Sequence, residues 1–130
     1  MATKDNPCRV LIVDDDKLLR DKLKLIIQGL GANVVGESDN GADALQAYET
    51  HTPDITFLDI DMPRKNGIIA LKDIVQKDPN AFVVMLTATS DMDIADSCLE
   101  LGASSYVRKG VEPHIMELML KNQIEAVKAG

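Results

Sequence analysis

Short runs of β-branched apolar residues alternate along this chain with longer segments in which apolar residues recur at helical spacing. Strands that alternate with helices in this way are typical of a parallel sheet covered by helices. The pattern repeats five times and predicts an α/β fold. The predicted strands span residues 9–13, 33–38, 55–59, 82–87 and 105–108.

The predicted helices span residues 17–30, 41–50, 67–77, 91–101 and 112–128. The apolar residues of the first lie on one stripe, and Gly31 ends it. The last helix carries two adjacent apolar rows, Met116, Leu120, Ile124 and Val127 in one and Ile115, Leu118 and Met119 in the other. The second row is either part of a wide surface facing the core or a docking face for a partner or a homodimer.

Length and composition limit the class of protein. With 130 residues, 45% of them apolar and 27% charged, the chain fits one soluble domain, which we expect to span 1–130 with a core at about 9–127. The net charge of -7 disfavours direct binding to nucleic acid. No stretch has the pattern of a signal peptide or a membrane span, and Cys8 and Cys98 do not form a CxxC pair. We therefore expect a cytoplasmic protein with no membrane contact.

Polar residues lie at the ends of four predicted strands. They are Asp14, Asp15 and Asp16 after the first strand, Asp59 at the end of the third, Thr87 at the end of the fourth and Lys109 after the fifth. Because ligands of open parallel sheets bind beyond the carboxyl ends of the strands, we expect one site at this edge. Asp16, and with less weight Asp15, have the alternative role of capping the first helix.

The types of residue at this edge indicate its chemistry. Asp14, Asp15 and Asp59 would repel one another unless a cation lay among them. Magnesium suits such all-oxygen ligation and keeps water and phosphate in its shell. Lys109 adds a positive charge and Thr87 a hydroxyl donor, and positioning by such groups is most of what phosphoryl transfer requires. The set predicts a magnesium-dependent phosphoryl site.

Four short motifs contain these residues. They are the acidic pair in VLIVDDD, the stretch DIDMPRKNG from Asp59 to Gly67, the pair Thr87 and Ala88, and GASSYVRKG from Gly102 to Gly110. Together they resemble the receiver domain of response regulators in two-component signalling, over nearly the whole chain. The resemblance implies a (βα)5 flavodoxin-like fold of three layers, with a parallel five-stranded sheet in the order 2-1-3-4-5.

The resemblance also implies how the phosphoryl site works. Asp59 would accept a phosphoryl group from a phosphohistidine on a sensor histidine kinase or a histidine phosphotransfer protein. Asp14 and Asp15, with Asp59, would organise Mg²⁺, and Asp61 would add its backbone carbonyl. Lys109 would pair with the phosphoryl group. The implied chemistry is limited to self-catalysed phosphotransfer and autodephosphorylation, so we do not expect an enzyme with a separate substrate.

A switch is implied as well. Thr87 and Tyr106 would form the switch pair, which reshapes the face made by the fourth helix, fifth strand and fifth helix when Asp59 is phosphorylated. That face would signal to a downstream protein target. The alternative for Tyr106 is a half-buried strand aromatic that does not move.

The chain departs from the receiver pattern in two places. Receivers commonly have a cis-proline after the lysine, whereas Gly110 follows Lys109 here. The carboxylate of Asp61 adds a negative charge beside the acceptor, so we expect the phosphoryl lifetime to depend on it. Thr89, two residues after Thr87, is a second candidate for tuning that lifetime.

Three alternatives are open to different degrees. The DIDMP stretch superficially matches the nucleophile motif of haloacid-dehalogenase-like phosphohydrolases, but those enzymes place the nucleophile before the metal-binding acids. An inert interaction module would not need the full set of acids, threonine and lysine. The VRKG ending of the fifth strand is reminiscent of receivers in helix-turn-helix transcription factors. We favour a regulator with no output domain in this chain over a receiver portion of a longer DNA-binding regulator.

Overall fold

A computed structural model of the protein describes residues 7–62, 64–88 and 92–129. The five strands are β1 (Arg9–Val13), β2 (Asn33–Ser38), β3 (Ile55–Asp59), β4 (Val83–Thr87) and β5 (Ser105–Arg108). All neighbouring strands pair in parallel, in the order β2-β1-β3-β4-β5. The predicted fold and strand order are therefore confirmed.

Helices cover both faces of this sheet. They are α1 (Lys17–Gly29), α2 (Ala44–His51), α3 (Gly67–Lys77), α4 (Met92–Glu100) and α5 (Pro113–Ala129). Side chains alternate between the faces of a strand, so Val10 and Ile12 of β1 pack with α1 and α5, whereas Leu11 and Val13 pack with α2, α3 and α4. Two apolar cores on opposite faces of one sheet make the three layers. Among the described residues, no helix is long and apolar enough to span a membrane.

The second helix begins later than the spacing predicts, at Ala44 rather than at Gly41. The buried Asn40 causes this delay, because its Oδ1 accepts a hydrogen bond from the Asp43 backbone N–H at 2.9 Å and its Nδ2 donates to Asp43 Oδ2 at 3.0 Å. These bonds hold 40–43 as a turn. Other boundaries differ from the predictions by a residue or two, as helix and strand ends commonly do.

The two apolar rows of α5 have different environments. Met116, Leu120 and Ile124 are buried in the core shared with α1. In the second row Met119 is partly buried, but Ile115 and Leu118 are 39% and 56% exposed. The interpretation of a wide face directed entirely at the core is therefore wrong for Ile115 and Leu118.

Candidate functional site

Two neighbouring strands of the sheet bring the acidic residues to one edge. Asp14 directly follows β1 and Asp59 is the last residue of β3, the neighbour of β1 in the sheet. Ligand atoms of Asp14, Asp15 and Asp59 all lie within 4.8 Å of one another. Asp14 and Asp59 are buried, and Asp15 is exposed at the mouth of the site. The expected meeting of these carboxylates is therefore present in the structure.

Lys109 reaches the cluster from the end of β5. Its Nζ lies 2.7 Å from Asp59 Oδ1 and 2.9 Å from Asp14 Oδ2. The contact with Asp14 Oδ2 is an ion pair without an aligned hydrogen bond, since that oxygen has no hydrogen-bond partner. One ammonium thus faces two buried carboxylates, with the exposed Asp15 beside them.

This charge arrangement shifts the pKa values of the central pair. Burial, reinforced by the charges of Asp14 and Asp15 and opposed by Lys109, raises the pKa of Asp59 to about 6. Burial acts to lower the pKa of the Lys109 ammonium, but its contacts with Asp59 and Asp14 outweigh burial and raise that pKa. The single positive charge of Lys109 is thus not enough to offset the destabilising effect of burial on the ionised form of Asp59.

The residues fit a divalent cation. Asp59 Oδ2 is buried and accepts no hydrogen bond within the described part of the chain. A buried carboxylate oxygen without a partner is costly unless a cation or water satisfies it. Carboxylate oxygens are hard ligands of the kind that Mg²⁺ prefers. Asp14, Asp15 and Asp59 are the residues that would hold the ion.

The other acidic and threonine candidates have different positions. Asp16 caps α1, accepting hydrogen bonds from the backbone N–H groups of Leu18 and Leu19, so its capping alternative is the one observed. Asp61 is exposed, and its carboxylate is not in the acidic cluster. Thr89 lies outside the described residues, so its tuning role stays a prediction.

The expected switch pair lies beside the site. Thr87 is buried at the end of β4, and its hydroxyl donates to the Ala88 carbonyl at 3.1 Å. Tyr106 on β5 is half-buried and packs against the core on the α2–α3–α4 side of the sheet. In this arrangement the threonine hydroxyl is hydrogen-bonded to the backbone.

The loop after Lys109 is formed without proline. No cis peptide bond occurs in the described residues, so the bond between Lys109 and Gly110 is trans. Gly110 adopts a φ of 77°, a left-handed conformation that glycine tolerates at little cost. The glycine therefore provides the turn that follows the lysine.

Sequence reasoning missed Arg20, which touches the site through the backbone. Its Nη1 donates to the carbonyl oxygen of Asp14 at 2.7 Å, and its Nε lies 3.1 Å from Glu37 Oε1. No spacing rule links an arginine on α1 to a glutamate on β2, because their proximity depends on how the helix lies across the sheet edge. The sequence gives one weak indication of this contact, namely that Arg20 lies one turn into α1.

Replacing Asp59 by asparagine is expected to stabilise the protein in a magnesium-free, chelator-treated buffer. The folded-state pKa of about 6 lies above the ordinary value of 3.8, so ionisation of Asp59 opposes folding. This opposition is absent below about pH 4, grows as the pH rises from about 4 to 6 and is complete above it. At pH 7.5 we expect the free energy of unfolding to rise by about 2 to 3 kcal/mol in Asp59→Asn, measured by urea unfolding.

Measurement of the same variant at two pH values tests the electrostatic cause of this prediction. The gain in free energy of unfolding in Asp59→Asn should shrink to near zero at pH 4. The control is Asp96→Asn, which removes an exposed carboxylate from α4. Its free energy of unfolding should stay within about 0.5 kcal/mol of the wild type at pH 4 and at pH 7.5. A gain in Asp59→Asn that is equal at pH 4 and pH 7.5 would contradict the electrostatic cause.

Comparison with known proteins agrees with this fold. A model of the response regulator receiver domain matches residues 10–121. The chemotaxis protein CheY of Thermotoga maritima is 40% identical over 105 residues, which are 81% of this chain and 88% of that protein. The transcriptional regulatory protein PdtaR of Mycobacterium tuberculosis is 38% identical over 103 residues, which are 79% of this chain but 50% of that protein.

A solved structure extends the similarity to almost the full length. A chain of the CheX-CheY-BeF3-Mg+2 complex from Borrelia burgdorferi matches with a TM-score of 0.87 at 30% identity, covering 98% of this chain and 95% of that one. Sequence, topology and the acidic edge of the sheet thus lead to the same family. The chain belongs to the response regulator receiver domains of two-component systems, which are signalling proteins rather than classical enzymes.

Proposed function

We propose that this protein accepts a phosphoryl group on Asp59 from a phosphohistidine of a sensor histidine kinase or a histidine phosphotransfer protein, in a magnesium-dependent reaction. The observation that carries the proposal is the environment of Asp59, a residue that is 3% exposed. One of its carboxylate oxygens is paired with Lys109 at 2.7 Å, and the other is buried without a hydrogen bond. The large majority of buried polar side-chain atoms in folded proteins have a hydrogen-bond partner.

In the proposed step, a carboxylate oxygen of Asp59 attacks the phosphorus of the donor. An oxygen–phosphorus bond forms, the phosphorus–nitrogen bond breaks, and the leaving imidazole takes up a proton. Lys109 faces the negative charge that gathers on the phosphoryl oxygens, and the Thr87 hydroxyl supplies a donor to one of them. When bound, Mg²⁺ would neutralise the carboxylates and the phosphoryl group, held by Asp14, Asp15, Asp59 and the backbone carbonyl of Asp61.

The raised pKa of Asp59 suits a nucleophile. A carboxylate with a pKa of about 6 is more basic than an ordinary aspartate, yet most of it is ionised at pH 7.5. In the absence of a cation, Asp14 and Asp15 place further negative charge beside Asp59. Phosphotransfer should therefore require a cation. The same site later admits water to the acyl phosphate, which gives self-catalysed dephosphorylation.

Output is proposed to pass through Thr87 and Tyr106. The Thr87 hydroxyl now donates to the Ala88 carbonyl, and a phosphoryl group on Asp59 offers it a stronger, charged acceptor. If Thr87 turns towards that acceptor, it vacates space that the half-buried Tyr106 ring can enter. The α4–β5–α5 face would then change shape and bind a downstream protein target.

The remaining parts of the proposal concern the protein's setting. We propose a single receiver domain over residues 1–130 that works in the cytoplasm without direct contact with membrane or nucleic acid. The exposed side chains Ile115 and Leu118 on α5 support a docking or homodimer face there. A second candidate is the receiver portion of a longer DNA-binding regulator. The match to half of the transcriptional regulatory protein PdtaR supports the longer chain, and DNA binding stays a prediction.

Intact-mass spectrometry tests the phosphoryl acceptor. The protein is incubated with MgCl₂ and phosphoramidate, a small donor whose phosphorus–nitrogen bond imitates phosphohistidine. We expect one phosphoryl group, removed by hydroxylamine as an acyl phosphate should be. The adduct should be absent in Asp59→Asn and in a chelator-treated sample. An adduct that persists in Asp59→Asn would place the acceptor elsewhere.

Asp61 is expected to shorten the lifetime of the phosphoryl group. Its exposed carboxylate, two residues after the acceptor, repels the phosphoryl group and can orient an attacking water. Removing one charge near the site is worth about 1 kcal/mol in a watery environment, so Asp61→Asn should lengthen the lifetime roughly fivefold. Decay of the adduct after removal of the donor measures this. Glu125→Gln, an exposed charge removed from α5, serves as the control, and an unchanged decay in Asp61→Asn would show that Asp61 has no tuning role.

A further inference from the structure

Arg20 is a largely buried cation on α1 that bonds to two other segments of the fold. It lies on α1, its Nε is 3.1 Å from Glu37 Oε1 on β2, and its Nη1 donates to the carbonyl oxygen of Asp14 at 2.7 Å. Its side chain is only 14% exposed. The opposite oxygen of Glu37 accepts from Lys24 Nζ at 2.8 Å, so Glu37 is itself fixed from both sides. These two cations also hold the pKa of Glu37 below its usual value, Lys24 having the larger effect.

Asp14 is the residue on which this arrangement converges. Its backbone N–H donates to the Ser38 carbonyl at 3.0 Å, and its carbonyl accepts from Arg20. Its Oδ1 accepts from the Asp16 backbone N–H at 2.8 Å. Because β1 ends at Val13, Asp14 lies beyond the regular hydrogen-bond ladder of the sheet. The Arg20 guanidinium takes the place of a neighbouring strand as the hydrogen-bond donor to the Asp14 carbonyl. The peptide plane on the carboxyl side of Asp14, which leads to Asp15, is thereby fixed.

We propose that Arg20 is a positioning residue, which acts through the Asp14 backbone to direct the Asp14 and Asp15 carboxylates for cation binding. This inference rests on the proposed magnesium-dependent function. A guanidinium is suited to the task because its planar fork bonds Glu37 with one N–H and the Asp14 carbonyl with another. Groups that orient metal ligands commonly affect metal affinity by 10- to 100-fold.

The direction in which Mg²⁺ affinity changes when Arg20 is replaced distinguishes a positioning role from a simple electrostatic effect. Arg20 carries a positive charge close to a site for a dication, so its removal should tighten Mg²⁺ binding if charge alone matters. If Arg20 positions Asp14, its removal should weaken binding instead. Lys24 offers a matched control, because it carries the same charge and pairs with the same Glu37 but donates to that carboxylate rather than to Asp14.

Isothermal titration with MgCl₂ tests the inference on the wild type, Arg20→Met, Arg20→Lys and Lys24→Met. We expect the Mg²⁺ dissociation constant to rise at least tenfold in Arg20→Met and to stay equal or fall in Lys24→Met. Arg20→Lys keeps the charge and loses the planar fork, so it should also bind more weakly than the wild type, and it decides the matter if Arg20→Met does not fold. Thermal unfolding in chelator establishes that each variant is folded.

Each contrary outcome has its own meaning. Arg20→Met that binds Mg²⁺ as tightly as the wild type or more tightly overturns the positioning role and leaves the proposed function intact. Equal weakening in Arg20→Met and Lys24→Met also overturns it, because the effect would then come through Glu37 alone. A folded wild type that binds no Mg²⁺ overturns the magnesium part of the proposed function, and the role of Arg20 with it.

Discussion

Lys109→Ala is expected to slow phosphorylation of Asp59 by about 100- to 1,000-fold, the usual effect of removing one charge-stabilising donor from a transition state. The Lys109 ammonium lies 2.7 Å from Asp59 Oδ1. It therefore lies close to the carboxylate of Asp59, whichever of the two carboxylate oxygens would carry the phosphoryl group. Magnesium binding should survive, because the three carboxylates remain and lose a competing cation. The rate of adduct formation from phosphoramidate at saturating MgCl₂ measures the effect.

A matched lysine provides the control for this experiment. Lys65 lies in the loop before α3, is 33% exposed compared with 24% for Lys109, and pairs with Asp73 at 2.6 Å. Lys65→Ala removes the same charge without touching the acidic cluster, so its phosphorylation rate should stay within about threefold of the wild type. Phosphorylation of Lys109→Ala at the wild-type rate, with normal magnesium binding, would remove Lys109 from the proposed chemistry.

Gly67→Ala is expected to cost about 3 kcal/mol of folding free energy or more, because a side chain there collides with backbone only. A Cβ at Gly67 would overlap the carbonyl oxygen of Asp59 and lie 2.8 Å from its carbonyl carbon and 2.9 Å from Ile60 Cα. The Gly67 N–H also donates to the Ile60 carbonyl at 2.7 Å, so α3 begins in direct contact with the segment that contains Asp59. No side-chain rotation can relieve such a clash.

Urea unfolding measures this loss, with Gly29→Ala as the control. A Cβ at Gly29, the last residue of α1, meets nothing within 4 Å, so alanine should be neutral or stabilising by up to about 1 kcal/mol. Gly67→Ala that still folds should be phosphorylated more slowly, because the only way to make room is to move Asp59 or α3. Equal stability of the two variants would mean that the loop after Asp59 is more adaptable than its close packing indicates.

The strand pattern was sufficient to predict which side chains share the acidic edge. β1 and β3 have period and composition that are typical of buried parallel strands, and a carboxylate follows or ends each of them. The start of α2 was not predictable in the same way, since Ala42 and Ala44 both favour a helix and the spacing alone does not show where it begins. The hydrogen bonds between Asn40 and Asp43 decide it, and they compete locally with helix formation.

By itself the sequence determined the α/β class, the strands and the identity of the residues that we propose to perform phosphoryl chemistry. Those features depend on local periodicity and on the residue types at the end of each strand, which one chain records directly. Tertiary structure alone decided the distances from Lys109 to Asp14 and Asp59, the raised pKa of Asp59 and the attachment of Arg20 to the Asp14 carbonyl. These properties arise between groups far apart in the chain, because burial and charge interactions depend on the spatial arrangement of the elements.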